Sequence, residues 1–489
     1  MIRNTKYILS FILLLVSCDL SAQNSQVLYY MNLPQNHLLN PAFRPSNSVY
    51  IGLPVLSGIN ININNNFINF SDVFIKGSND SILSFLHPDY DISKFIAKIK
   101  DKNSIEPESV IQLFGLGFNV GRKSYVFLDI NERVDGNVVI PGDLFRLGLE
   151  GNEQFAGGKM DLSALRGDVK IYHEIGLGFS RDFTSKLRIG IKGKLLAGVA
   201  AASIDNNYLS LTVNDDYTHT LDADLTVNLS APVDVYINSD NTIDSLIFND
   251  SQFDNAGTVA DYILKTPNKG LGLDIGAEYK FNDRIKISAA ITDLGYIKWK
   301  RDISNLKAKS SFEFSGVDML DVYNGTMTFD SLGQELLDSL KNSFSLTNDK
   351  SPFTTWLPFG ITAGGSYNLT PSVSVGLLSY TRFIGKQIRE ALTLSANVNL
   401  SNAFSTSIAY TAANHRYDNL GFGLAFRAGW AQFYFIADRI PITWNKIISG
   451  DSNIPLPVSW NTVHARIGMN LAFGNRVKKR EDKPMILVE

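Results

Sequence analysis

Histidines stand at His37, His87, His173, His219, His415 and His464, and no two share the HExxH spacing that sets a pair on one helix face around zinc. No G-x-S-x-G elbow or phosphate-binding loop occurs. Gly270-Leu271-Gly272-Leu273 lies inside an alternating run, where glycine relieves crowding at a curved wall. A hydrolytic set drawn from distant strands would need His464 with Ser395 or Ser407, and nothing in the sequence orients them. The pattern that stands out is charge at every second position. Arg188, Lys192 and Lys194 oppose Leu187, Ile189, Ile191 and Leu195; Asp274, Glu278 and Lys280 oppose Leu271, Leu273, Ile275, Ala277, Tyr279 and Phe281; Lys286, Ser288 and Thr292 oppose Ile285, Ile287, Ala289 and Ile291. Successive residues of a strand face opposite sides, so one side is apolar and the other carries both signs. Such rows form either a selectivity ladder along a pore or paired charges filling a narrow lumen, and the mixing of signs favours pairing. The expectation is no catalytic residue, no cofactor and no metal.

The elements that position these residues begin with an export leader. Arg3 and Lys6 precede an apolar run over 7–16, and Leu20-Ser21-Ala22 closes it with small residues. Cleavage after Ala22 is the favoured reading; Leu15-Val16-Ser17-Cys18 resembles a lipobox, whose use would leave an acylated Cys18 instead. Cys18 is the single cysteine, so cleavage after Ala22 leaves neither disulfides nor thiolate sites to stabilise the fold. A formal net charge of -3 provides no basic stripe for nucleic acid. No linker or break in composition divides the chain after the leader, which implies one large domain.

Without long apolar helices a chain crosses a bilayer only as a closed barrel, because every backbone group must be paired internally. Alternating segments of crossing length recur at 49–64, 110–120, 124–134, 169–181, 186–203, 271–281, 284–300, 356–369, 373–383, 391–400, 404–413, 420–428, 431–438 and 463–473. That makes about 14 strands (12–16), an even number. Tight turns fall at 121–123, 182–185, 282–283, 370–371, 401–402 and 429–430, and long connections at 65–109, 135–168, 204–270 and 301–355, with a shorter one at 440–462. Short turns on one side and long loops on the other are the barrel asymmetry. Further alternation at 208–213, 218–229 and 306–314 either extends hairpins above the membrane or adds two strands. Trp299, Trp356, Trp444 and Trp460 near outer strand ends, and Trp430 near an inner one, read as interfacial anchors.

The long loops carry their own elements. Ile92, Phe95, Ile96 and Ile99 follow Asp91 at helical spacing, Leu332, Leu336, Leu337 and Leu340 repeat the device, and Pro141 opens a third helix with Leu144, Phe145 and Leu147. These helices either pack on one another as a cap or present an apolar binding surface.

The last segment, Arg466-Ile467-Gly468-Met469-Asn470-Leu471-Ala472-Phe473, resembles the C-terminal sorting signal of bacterial outer-membrane barrels, with Arg466, Gly468, Leu471 and Phe473 as its marked positions. Near the other end, Leu39-Asn40-Pro41-Ala42-Phe43 resembles the hatch motif of FadL-type hydrophobic-compound transporters and is similar to the start of PorP/SprF-type barrels tied to secretion and gliding. The chain most resembles an uncharacterised family of such barrels, through Asn131-Glu132-Arg133-Val134-Asp135, Asp143-Leu144-Phe145 followed by Glu150-Gly151-Asn152, Asp293-Leu294-Gly295-Tyr296-Ile297-Lys298-Trp299 and Asn419-Leu420-Gly421-Phe422-Gly423.

The expected organisation is a leader at 1–22, a periplasmic or lumenal hatch-like segment at 23–48 with Asn40, Pro41, Ala42 and Phe43 at its centre, an all-β transmembrane barrel at 49–474 and a charged periplasmic tail at 475–489. Candidate lumenal charges are Arg188, Lys192, Lys194, Asp274, Glu278, Lys280, Lys286 and Arg466. The resemblances imply an outer-membrane location, contact with lipid and with the barrel-assembly machinery, and either a hydrophobic ligand or protein partners of a secretion, motility or attachment assembly; no nucleic acid is expected.

Overall fold

The computed structural model describes residues 26–474 apart from 77–81, 88–89, 238–242, 250–253, 256, 259–260, 263–264, 315–345, 401–402, 414–415, 442–443, 450–451 and 458–460. The leader, Cys18, the tail, Trp460 and the expected helix near Leu332 lie outside these residues.

Fourteen antiparallel strands close on themselves. In chain order they are β1 (Val49–Gly52 continued by Ile59–Asn65), β2 (Lys102–Val120), β3 (Ser124–Pro141), β4 (Arg166–Asp182), β5 (Leu187–Val213), β6 (Lys269–Lys280) and β7 (Ile285–Trp299). The other half consists of β8 (Phe353–Trp356 with Phe359–Asn368), β9 (Val373–Ile384), β10 (Gln387–Leu400), β11 (Phe404–Ala413), β12 (Arg416–Ala428), β13 (Ala431–Ile440) and β14 (Thr462–Phe473). Each strand pairs with its sequence neighbours, and β14 joins β1 through Val49↔Phe473 and Ile59↔Ile467. All fourteen expected segments appear as strands, so alternation was sufficient to place the wall. Among the described residues no helix is long and apolar enough to cross a membrane.

Gly121 and Gly429 close two of the tight turns at φ 64° and 62°, a conformation that glycine adopts without steric cost. At the opposite end the strands outrun a bilayer. β5 has 27 residues against the roughly 9–11 that cross, and its outer half pairs with His219–Ser230, which pairs in turn with Ile303–Phe314. The extra alternating segments therefore extend hairpins and add no strands to the ring. β2 begins earlier than its apolar pattern suggests, at Lys102, because its outer half turns Glu106 and Glu108 into the lumen rather than presenting apolar residues.

Asp91 caps the helix Ile92–Ile96 by accepting the Ser93 N–H. The Ser93 hydroxyl also holds the Asp91 carboxyl below its ordinary range. Helix Gly142–Glu150 follows Pro141, and Arg146 reaches the Ile99 carbonyl. Leu144 and Leu147 pack with Met160, Leu162, Leu209 and Leu211 against the outer sheet. Among the described residues, the helices of these two loops thus pack on one another and on the outer sheet.

One expectation about facing fails. Trp299 is buried inside the barrel, donating to Thr355 Oγ1 at 2.9 Å, and does not join an outer girdle. The cause is a bulge, where Asp293 sits at φ 63° opposite a register shift at Leu273/Ile275. An extra residue inverts the alternation. Even residues Ala290 and Thr292 face inward before it, and odd residues Ile297 and Trp299 after it. Trp356, Trp430 and Trp444 are exposed, as interfacial anchors require.

Candidate functional site

Residues 26–48 occupy the lumen. Two short 3-10 turns, Val27–Tyr30 and Pro34–Leu38, shape this plug, and Pro34 at the first position of the second fixes its φ. An irregular segment must find partners for its backbone and amides, and here the wall supplies them. The Gln26 and Val27 N–H groups donate to Asp438 at 3.1 and 2.8 Å. Tyr30 donates to the carbonyls of Gly365 and Leu377, Gln35 reaches Asn470 at 2.6 Å, and Arg44 reaches Ser180 and Asp182. Partners thus lie all around the ring.

Asn40 is fully buried, donating from Nδ2 to the carbonyls of Ala277 and Ala289 at 3.3 Å and accepting the Ala42 N–H on Oδ1 at 2.9 Å. Two wall glycines provide the space. A Cβ on Gly276 would lie 2.1 Å from Asn40 Oδ1, and one on Gly190 would lie 2.1 Å from the Pro41 carbonyl oxygen. Ala42 is buried, its carbonyl accepting from Ser180, and Phe43 packs edge-on against Tyr29 at 4.9 Å. Glycine periodicity was visible in the sequence, but its purpose of admitting a plug was not. Gly276→Leu is expected to unseat Asn40, seen as faster proteolysis within 26–48 while the folded barrel keeps its heat-modifiable electrophoretic mobility.

Above the plug the inward charges are paired. His37 Nε2 lies 2.8 Å from Asp129, which also accepts from the Tyr50 hydroxyl at 3.1 Å and lies 3.2 Å from Lys192. Lys192 reaches Glu174 at 2.8 Å, Arg133 joins Glu174 to Asp293 at 2.9 and 2.8 Å, and Lys194 joins Asp293 to Asp274 at 2.6 and 2.7 Å. Three fixed cations and the plug histidine therefore face four carboxylates. Of the charges expected in the lumen, Lys192, Lys194 and Asp274 lie in this cluster. Arg188 and Glu278 pair with each other at 3.4 Å nearer the short-turn mouth, Lys280 and Lys286 are cross-strand neighbours there, and Arg466 donates to Asn60 on the far side.

Nearer the long loops a second set spans the bore. Arg382 of β9 pairs with Glu108 and Asp135 at 2.5 and 3.2 Å, and Arg389 of β10, its direct cross-strand neighbour, pairs with Glu106 at 2.9 Å. A two-residue hairpin through Gly385 thus holds two arginines across to β2 and β3. Sequence reading missed these five residues, although acid positions on β2 at spacing two were the available signal.

The serines and histidine weighed for hydrolysis are not brought together. His464 meets Asp438 and Asn60, while Ser395 and Ser407 bond to Asn397. Gly468 packs under the Ser57 carbonyl and Phe473 ends β14 on the outer surface, with Leu471 paired to Ile51 and Ala431. At the short-turn mouth a cleft of about 410 Å³ opens between the plug and β6–β10.

Closed ring, apolar exterior, paired interior and lumenal N-terminal segment define a β-barrel of outer-membrane type. The chain belongs to the family of unknown function DUF5723, whose model matches residues 41–438. No curated protein matches it. Among solved structures it is similar to the toluene transporter TbuX of Ralstonia pickettii, at 11% identity over 94% of this chain and 100% of that one, with a TM-score of 0.38. A FadL homologue of Pseudomonas aeruginosa gives 9% identity over 91% and 94% with a TM-score of 0.38, and the KdgM porin 10% over 64% and 99% with a TM-score of 0.22.

Proposed function

We propose that the chain spans the bacterial outer membrane as a hatch-gated barrel that binds and passes a hydrophobic small molecule, as the resemblance of Asn40-Pro41-Ala42 to the FadL-type hatch implies. The observation that supports this reading is the seating of those residues in a notch between Gly190 and Gly276. The plug blocks free diffusion, yet its bonds go to separate strands, so a ligand can release them in steps. Short turns and both chain termini of the barrel face the periplasm, and the long loops face outward. A hydrophobic ligand first lands on the half-buried Leu144 and Leu147, at the edge of the outer apolar cluster. Export by the leader ending at Ala22, recognition of Arg466, Gly468, Leu471 and Phe473 by the barrel-assembly machinery, and lipid around the outer belt complete the proposal.

A second reading, a scaffold for a secretion, motility or attachment assembly, draws support from the outer sheet that rises past the ring and from the arginines that close the bore. Mass spectrometry of protein extracted in mild detergent from native membrane separates the two. An apolar molecule enriched over bulk lipid is expected; a stoichiometric protein partner with no such molecule would instead establish the scaffold.

A further inference from the structure

The cleft at the periplasmic mouth is lined in a way that passage of a hydrophobic molecule does not require. Its floor is aromatic. Tyr29 stands edge-on to both Tyr30 and Phe43, with ring centroids 5.1 and 4.9 Å away and interplanar angles of 76°. Such rings offer apolar faces beside polar tips. Its rim is made of amides and hydroxyls, among them Asn36, Ser366 and Ser374. Asn36 is more than nine-tenths buried; its Nδ2 donates to the Met31 carbonyl, while its Oδ1 is out of water with no hydrogen-bond partner. This acceptor keeps the capacity for one more hydrogen bond.

The rim also holds an uncompensated charge. Lys286 makes no ion pair among the described residues, and its direct cross-strand neighbour is another cation, Lys280. The acid lining the same cleft, Glu278, is engaged by Arg188 at 3.4 Å. Arg44, also in the lining, is held by Asp182 and by the Lys123 carbonyl. An anionic group entering the cleft therefore meets Lys286 as its partner.

We propose that this cleft binds an acidic saccharide. Sugar rings carry one face of C–H groups to lie on Tyr30 and Phe43, hydroxyls or acetamido N–H groups to reach Asn36 Oδ1 and the serines, and a carboxylate to meet Lys286. A cavity of about 410 Å³ accommodates two linked rings. A purely apolar ligand leaves Asn36 Oδ1 without a donor, and a neutral sugar leaves Lys286 without a counter-charge. On the orientation adopted above the cleft faces the periplasm, where the cell-wall glycan carries this chemistry as muramyl units with peptide carboxylates. The same chemistry is available from a free acidic oligosaccharide. Hydrophobic passage through the bore neither requires this site nor excludes it.

Calorimetry on the full-length purified barrel is the test, with a muramidase-released disaccharide tripeptide as the acidic probe and chitobiose as the neutral one. Saturable binding of the acidic probe is expected, falling at least about tenfold in Lys286→Gln and comparably in Asn36→Ala. Chitobiose is expected to bind more weakly, with the same affinity in wild type and Lys286→Gln. Heat-modifiable mobility verifies that each variant is folded, and Ser366→Ala/Ser374→Ala tests the rim without touching the plug. Co-sedimentation with intact sacculi, lost in Lys286→Gln, identifies the wall as the source; binding of the soluble fragment alone assigns the site to free saccharide. No saturable binding of the acidic probe, or equal affinity for both probes and all variants, would overturn the proposal.

Discussion

Deletion of residues 23–43 is expected to leave an assembled barrel that leaks. The ring closes through a backbone ladder between β14 and β1 that begins at Val49 or later, outside the deleted segment. Its removal takes away Asn40 and Pro41 beside Gly276 and Gly190, His37 beside Asp129 and Gln35 beside Asn470, and empties the space they fill. Fourteen strands enclose a bore intermediate between eight-stranded barrels filled by side chains and porins with an open channel. Liposomes containing the deleted protein should therefore swell in small solutes about tenfold faster than those with wild type. The arginine pair is a further barrier across the bore, so adding Arg382→Ala and Arg389→Ala should raise the rate again, whereas these two changes alone should matter little while the plug is seated. Unchanged swelling in the deletion would show that 26–48 does not gate the bore.

What the sequence made legible followed from periodicity. Period-two alternation located every wall strand, and tight turns against long loops fixed which end is which, because both patterns are imposed residue by residue by the sheet. Three features carry no such period. The Asp293 bulge inverts the facing of the rest of β7, and an aspartate at positive φ is unmarked in the surrounding run Thr292-Asp293-Leu294-Gly295. Glu106, Glu108, Arg382 and Arg389 meet across the bore from strands far apart in sequence, so their pairing depends on curvature. The motif that implied a hatch gave its location but not its partners, since Asn40 is recognised by backbone carbonyls of Ala277 and Ala289, which any residue presents.

Lys192→Met is expected to be the most damaging single substitution in the wall. Lys192 is fully buried and bridges Asp129 at 3.2 Å to Glu174 at 2.8 Å. Methionine matches the length of the stem, so packing is nearly conserved and the loss is electrostatic. It leaves Asp129 with only the His37 ring and hydrogen bonds such as that from the Tyr50 hydroxyl, and Glu174 with Arg133 and a more distant Lys194 at 3.7 Å. Breaking one side of a buried pair costs about 3–5 kcal/mol, because the abandoned charge stays out of water. Removing the stranded charge as well should recover much of that. Lys192→Met/Glu174→Gln is therefore expected to be more stable than the single variant, and a double-mutant cycle of urea unfolding in detergent micelles gives the coupling directly. The plug should register the change too, since Asp129 is shared with His37: protease access to 26–48 should rise in Lys192→Met and fall back in the double variant. Additive effects of the two substitutions would mean that Lys192 stabilises the wall by packing alone, and the charged layer would then have no part in holding the plug.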